Sequence, residues 1–303
     1  MRPRSSDEPL LQNAAIPEGL ERHVLSSGGR ERLWFSAGPA VRAERTAAVV
    51  LLHGAGANAL GAVRMSGFDR LAREEGFLAV FPDGSGPAPD RFLFWNSGGR
   101  ELDRFRSEAD DVTFLEELCA QLAAVHGVDP DRIYMTGFSN GAMMCHRFAA
   151  ERPHRIAAFA AVAGSLPEAC RQSAGEPVTA VLLHGTSDDY VPYAGGRPRK
   201  SIVGTARTDV SFAESVRYWV ERDRCRAIPE EFAAGSHRIE RYGGGRGGSE
   251  VVVCTVRGGG HAWPGGRAGL ANGNPDEPYA GLDASRWIWE ECRRHRREGG
   301  VLK

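Results

Sequence analysis

With 303 residues, 42% of them hydrophobic, the chain is long enough to bury a full core as one large α/β domain or two small ones. A charged fraction of 25% and a formal net charge of −1, with acids and bases interleaved, leave no electrostatic footprint for nucleic acid or an anionic membrane surface. No apolar stretch has the length to span a bilayer. Residues 1–18 are polar with scattered prolines and read as a mobile tail, ahead of a single catalytic domain over residues 19–298. The tail has no apolar core and no small-residue cleavage site, so a cytoplasmic location is expected of the sequence as written, with export as the alternative.

Residues 23–27 and 31–36 flank Gly28-Gly29 and read as a hairpin. Residues 47–52 form a continuous apolar, β-branched run, as expected of a strand buried on both faces. Residues 68–75 have helical periodicity, and 77–81 give the next strand, ended by Pro82-Asp83-Gly84. Val112, Leu115, Leu118, Cys119, Leu122 and Val125 recur at helical spacing, with Asp110 or Asp111 as the cap. A strand over 132–136 leads through a glycine-flanked serine into a helix over 142–148. Strands follow at 156–162 and 178–183, then a helix at 212–222. Residues 243–248 form a glycine-rich loop expected to be disordered at its tip, before the last strand at 250–256. A long loop over 264–279, of the kind that shapes active sites, precedes the closing helix at 285–295. The basic run Arg293-Arg294-His295-Arg296-Arg297 reads as a solvated helix end. An antiparallel N-terminal hairpin followed by repeated β-α units predicts an α/β fold with a doubly wound, mostly parallel sheet.

The pentapeptide Gly137-Phe138-Ser139-Asn140-Gly141 sits between a strand and a helix. That is the context of a nucleophile elbow, in which a tight turn pushes the serine hydroxyl out at the sheet end. By itself it also fits a glycine-rich turn. A serine needs an imidazole to take its proton and a carboxylate to orient that imidazole. Asp188 is the first carboxylate after the strand ending at Leu183, with Asp189 the adjacent alternative. His261 follows the last strand in a glycine run, where a core role is hard to justify. His53 and His184 precede glycines at strand ends, which favours structural hydrogen bonding over general-base work. The two oxyanion N–H donors expected are those of Asn140 and Ala55, with Gly56 next. Trp95, Tyr193 and Trp263 fall on loops at the same sheet edge and are expected to line the substrate pocket, packing of loops onto the core being the alternative. The six cysteines include no C-x-x-C pair, so no zinc or redox site is expected. Cys119 and Cys145 read as buried thiols, and a disulfide between Cys225 and Cys254 stays open.

These segments resemble the poly(3-hydroxybutyrate) depolymerase-like esterases, which include feruloyl and acetylxylan esterases of the α/β-hydrolase fold. The resemblance rests on Leu52-His53-Gly54, on Phe81-Pro82-Asp83, on 110–115 with 128–142, on His184-Gly185-Thr186-Ser187-Asp188 with Val191-Pro192-Tyr193, and on Gly259-Gly260-His261-Ala262-Trp263-Pro264-Gly265. Together they run in order over roughly residues 45–295. The family pattern implies nucleophile, acid and base at Ser139, Asp188 and His261. Ala142 stands where a third glycine is common. Family members are commonly exported and disulfide-linked. The cysteine that pattern implies in loop 243–248 is absent, and Cys254 lies in the strand instead. No segment reads as a polymer-binding appendage.

The function expected is a serine carboxylic-ester hydrolase needing no cofactor or metal. It would act through an acyl-enzyme on small or oligomeric hydroxyalkanoate, feruloyl or acetyl esters. A peptidase or thioesterase on the same fold is the enzymatic alternative, and a non-catalytic binding protein of this fold the remote one.

Overall fold

The apolar runs assemble into one ten-stranded sheet in the order β1-β2-β4-β3-β5-β6-β7-β10-β9-β8. The computed structural model describes residues 16–39, 45–88, 91–98, 109–172, 175–201, 207–269 and 273–297. Strands β1 (Glu21–Ser27) and β2 (Arg30–Ala37) form the expected antiparallel hairpin. The centre of the sheet is parallel: β3 (Thr46–Leu52), β4 (Leu78–Pro82), β5 (Val128–Phe138), β6 (Ala158–Val162), β7 (Thr179–Gly185) and β10 (Val251–Val256).

Burial on both faces explains the unbroken apolar runs. In β3, Ala48, Val50 and Leu52 enter one core while Ala47, Val49 and Leu51 enter the other. Helices α3 (Asp111–Val125), α4 (Asn140–Glu151) and α5 (Phe212–Asp223) cover the first face. Helices α1 (Ala59–Ser66), α2 (Phe68–Glu75) and α6 (Ala284–Cys292) cover the second. Strand β3 lies between β4 and β5, so successive crossovers leave it in opposite directions. That topological switch opens a crevice at the carboxyl ends of β3 and β5.

The structure departs from the sequence reading in several places. Helix α1 was not expected; its N-cap Asn58 accepts from the Gly61 N–H, and Gly67 closes it at φ 66°. The antiparallel edge formed by β9 (His237–Tyr242) and β8 (Glu230–Ala234) is likewise new. The closing helix ends at Cys292 rather than 295. Loop 243–248 is ordered, because Arg246 forms a short 3₁₀ turn and donates to the carbonyls of Gly175 and Arg222, each at 3.1 Å. Cys225 and Cys254 form no disulfide: Cys254 is buried in β10, and the Cys225 thiol points at the Ser249 carbonyl. Of the expected N-terminal tail, residues 1–15 lie outside the described residues. Among the described residues no helix is long and apolar enough to cross a membrane.

Candidate active site

Strand β5 ends in the elbow. Ser139 adopts φ 55°, ψ −118°, a region costing a non-glycine residue on the order of 1–3 kcal/mol. Its neighbours hold it there: the Ser139 N–H donates to Val162 O at 2.9 Å, and Ser139 O accepts from Met143 N–H at 3.0 Å. The turn is tight enough that Gly137 and Gly141 pack on each other. A Cβ on Gly137 would lie 2.5 Å from the Gly141 carbonyl oxygen, and one on Gly141 would overlap the Leu52 carbonyl. Both positions therefore exclude any side chain. Helix α4 starts directly at Asn140, aiming its positive end at the space above Ser139.

His261 reaches this serine from the loop after β10. Its Nε2 lies 2.9 Å from Ser139 Oγ, and its Nδ1 lies 2.7 Å from Asp188 Oδ2. The imidazole is fully buried, with Phe138 and Tyr190 beside it at centroid distances of 4.7 and 5.1 Å. Asp276 accepts the His261 backbone N–H at 2.8 Å and so fixes its loop.

Asp188 follows β7. Its Oδ1 accepts the N–H groups of Tyr190 and Val191, both at 2.8 Å, which locks the carboxylate in its turn. Burial alone would raise its pKa. The charge of His261 and hydrogen bonds from His184 and His261 outweigh burial and hold the carboxyl below its usual range. The alternative acid, Asp189, instead faces Arg199 and Lys200 at 3.5 and 3.6 Å on the surface. With Nδ1–H directed at Asp188, Nε2 is left as a hydrogen-bond acceptor facing Ser139 Oγ.

Asn140 follows Ser139 directly as the first residue of α4, and Ala55 lies with Ser139 along one cleft. Among the described residues, the N–H groups of Ala55 and Asn140 have no protein acceptor, whereas the Gly56 N–H is taken by Leu93 O at 2.8 Å. That leaves the Ala55 N–H, and not the Gly56 N–H, available in the loop after β3. His53 carries this loop. Its Nδ1 donates to Gly54 O at 2.8 Å and its Nε2 accepts from Gly84 N–H at 3.0 Å. Burial pulls its pKa to about 4, so the ring is a neutral structural strut near pH 7.

The aromatic expectations need correction. Trp95 is fully buried, with its indole N–H on His53 O at 3.0 Å. Trp263 is also fully buried and donates to Ser285 Oγ at 3.0 Å. Tyr193 packs on His184 and Phe212, with its hydroxyl 3.2 Å from Thr255 Oγ1. None of the three lines the cleft beside Ser139. That cleft, of about 300 Å³, is walled by the loop of residues 54–58, Phe138, Arg64, Arg91 and Phe92, with Gly273 and Pro275 from the long loop before α6. Residues 270–272 of that loop lie outside the described residues. Sequence reasoning missed Arg64, Arg91, Phe92 and the ring of Tyr190. Only Tyr190 offered a signal, being two residues past Asp188. Among the described residues no three His, Cys, Asp or Glu side chains cluster as metal ligands.

Residues 105–215 match the phospholipase/carboxylesterase family. NocK of Nocardia uniformis subsp. tsuyamanensis, a protein named as an esterase, is 31% identical over 261 residues, covering 81% of this chain and 74% of its own. Feruloyl esterase B of Piromyces equi is 29% identical over 205 residues, or 66% of this chain; the match spans only 36% of that enzyme. The acetyl xylan esterase from Aspergillus awamori shares the fold, with a TM-score of 0.59 at 15% identity over 80% of this chain and 94% of that one.

Proposed function

The chain is a carboxylic-ester hydrolase of the poly(3-hydroxybutyrate) depolymerase-like and feruloyl esterase family of α/β-hydrolases, and from that premise we propose that Ser139 is its nucleophile and works through an acyl-enzyme. The observation that carries the reading is the unbroken hydrogen-bond chain from Asp188 through His261 to Ser139, at 2.7 and 2.9 Å. As Ser139 Oγ bonds to the ester carbonyl carbon, His261 Nε2 takes the hydroxyl proton. The carbonyl π electrons move onto oxygen, where the N–H groups of Ala55 and Asn140 receive the negative charge. Collapse of this tetrahedral species breaks the C–O bond to the alcohol, and His261 returns its proton to the departing oxygen. A water molecule, deprotonated by His261 in turn, then bonds to the acyl carbon; the acyl–Oγ bond breaks, His261 returns the proton to Ser139 Oγ and the acid leaves. Asp188 stays ionised throughout and stabilises the imidazolium.

The substrate is a soluble or oligomeric ester of a small acid, with hydroxyalkanoate, feruloyl and acetyl esters as the classes to test. A cleft of about 300 Å³ sits at the small end of ligand sites and suits one acyl unit. Purified protein should release 4-nitrophenolate from acetyl and butyryl esters, and Ser139→Ala should lower kcat by about 10⁴-fold or more. Methyl ferulate and hydroxybutyrate oligomers then rank the acids. Wild-type protein inert on every ester, or an active Ser139→Ala variant, would overturn the reading.

A further inference from the structure

The Asp188 carboxylate is met by more than His261. Its Oδ1 accepts the N–H groups of Tyr190 and Val191, both at 2.8 Å, and its Oδ2 lies 2.7 Å from His261 Nδ1. A further group is His184, near the end of β7, whose Nε2 lies 3.3 Å from the same Oδ2. Two backbone N–H groups thus hold Oδ1, while the direction of Oδ2 is set by two imidazoles. Of these, His261 must pass a proton between oxygens during the reaction. His184 takes no part in that transfer.

Chemistry fixes which nitrogen of His184 faces the acid as a donor. Nε2 lies 2.8 Å from the Val191 carbonyl oxygen, which can only accept, so Nε2 carries a proton. That N–H is shared between Val191 O and Asp188 Oδ2, a three-centre arrangement. Val191 in turn gives its own N–H to Asp188 Oδ1, so one imidazole closes the turn and meets the carboxylate it carries. The other nitrogen, Nδ1, is buried and has no hydrogen-bond partner among the described residues. An orphaned buried polar atom costs stability. A phenylalanine would fill the same space beside Tyr193 and Phe212 without that cost, so packing does not account for the histidine. The backbone does not require it either. A Cβ on Gly185 would overlap the Gly259 carbonyl, and Ser187 N–H donates to Gly259 O at 2.9 Å, so the end of β7 already packs on the loop that leads to His261.

We propose that His184 is a positioning residue: its Nε2–H aims Asp188 Oδ2 at His261 Nδ1 and closes the turn that carries the acid. The proposal rests on the reading of Ser139, His261 and Asp188 as the hydrolytic machinery. Its test is a double-mutant cycle on 4-nitrophenyl butyrate. His184→Phe should lower kcat about tenfold, the worth of one hydrogen bond to a charged group. KM should stay close to wild type, because His184 does not line the cleft. His184→Gln keeps an amide N–H near the place of Nε2 and should recover kcat to within about threefold of wild type. His184→Asn, too short to reach Oδ2, should match His184→Phe and takes its place in the cycle if that variant does not fold. Asp188→Asn alone should cost about 10⁴-fold. Adding His184→Phe to it should cost less than about twofold more, since a residue that acts through the acid then has nothing left to position. An unchanged kcat in folded His184→Phe, no recovery in His184→Gln, or an equal loss in the wild-type and Asp188→Asn backgrounds overturns the positioning role while leaving ester hydrolysis intact. An Asp188→Asn variant as active as wild type overturns the hydrolytic reading and the proposal with it.

Discussion

The indole N–H of Trp95 donates to the backbone carbonyl of His53 at 3.0 Å, tying the loop after β4 to the loop that carries Ala55. Asn140 grips the same tryptophan from the elbow. Its Oδ1 accepts the Trp95 N–H at 2.7 Å, and its Nδ2 donates to the Trp95 carbonyl at 3.1 Å. Both proposed oxyanion donors are thus set by one buried network. Trp95→Phe keeps a ring in the core and removes the hydrogen bond to His53. We expect kcat on 4-nitrophenyl butyrate to fall about tenfold, a fraction of the loss for deleting a whole oxyanion donor, with a smaller change in KM. An unchanged kcat in a folded variant would show that Trp95 does not position the loop.

A second prediction concerns the floor of the same region. Arg32 donates to Asp111 Oδ1 at 2.7 Å with both side chains buried, and Asp111 Oδ2 accepts the Asn96 N–H at 2.7 Å. Burial raises the Asp111 pKa against the pull of Arg32. Arg32→Met leaves that carboxyl without its partner, a change that costs about 3–5 kcal/mol at buried pairs. Urea unfolding should show the loss as a lower midpoint. A midpoint equal to wild type would mean the ion pair is dispensable.

Acid should destabilise the fold from about pH 6 downward. Burial lowers the pKa of His53 from 6.5 to about 4, and that of His146 to about 3. Between those values and 6.5 the unfolded chain binds protons that the folded chain does not, so stability rises with pH in this window. Each histidine contributes a slope of up to about 1.4 kcal/mol per pH unit. Asp188, held low, adds to the loss at more acid pH, while Asp111 and Asp223, raised by burial, oppose it. The urea midpoint should be steady from pH 7 to 8 and fall between pH 6 and 4.5. A flat profile down to pH 4.5 would contradict the burial of neutral His53 and His146.

The parts of the site legible in the sequence are those set by local order along the chain. Ser139, Asp188 and His261 each lie just past a parallel strand whose apolar run is plain to read, and the sheet brings strand ends together. Ring direction is not local. Trp95 and Trp263 stand in loops at the correct sheet edge, yet their indole N–H groups find partners inside, at His53 and Ser285. Arg64 stayed hidden because α1 spans eight residues including Gly61, too short a helix to reveal its period. Strands β8 and β9 lie at the sheet edge, partly exposed and rich in charge, so no apolar run marks them. The free thiol at Cys225 lies against the Ser249 carbonyl, a tertiary contact that cysteine spacing alone does not supply.

The most direct measurement is trapping the covalent intermediate. Intact-mass spectrometry after incubation with a fluorophosphonate should show one adduct per chain, and fragmentation should place it on Ser139. His261→Ala should slow its formation by several orders of magnitude, and Ser139→Ala should abolish it. An adduct on another residue, or labelling of Ser139→Ala at the wild-type rate, would contradict the assignment of Ser139 as nucleophile.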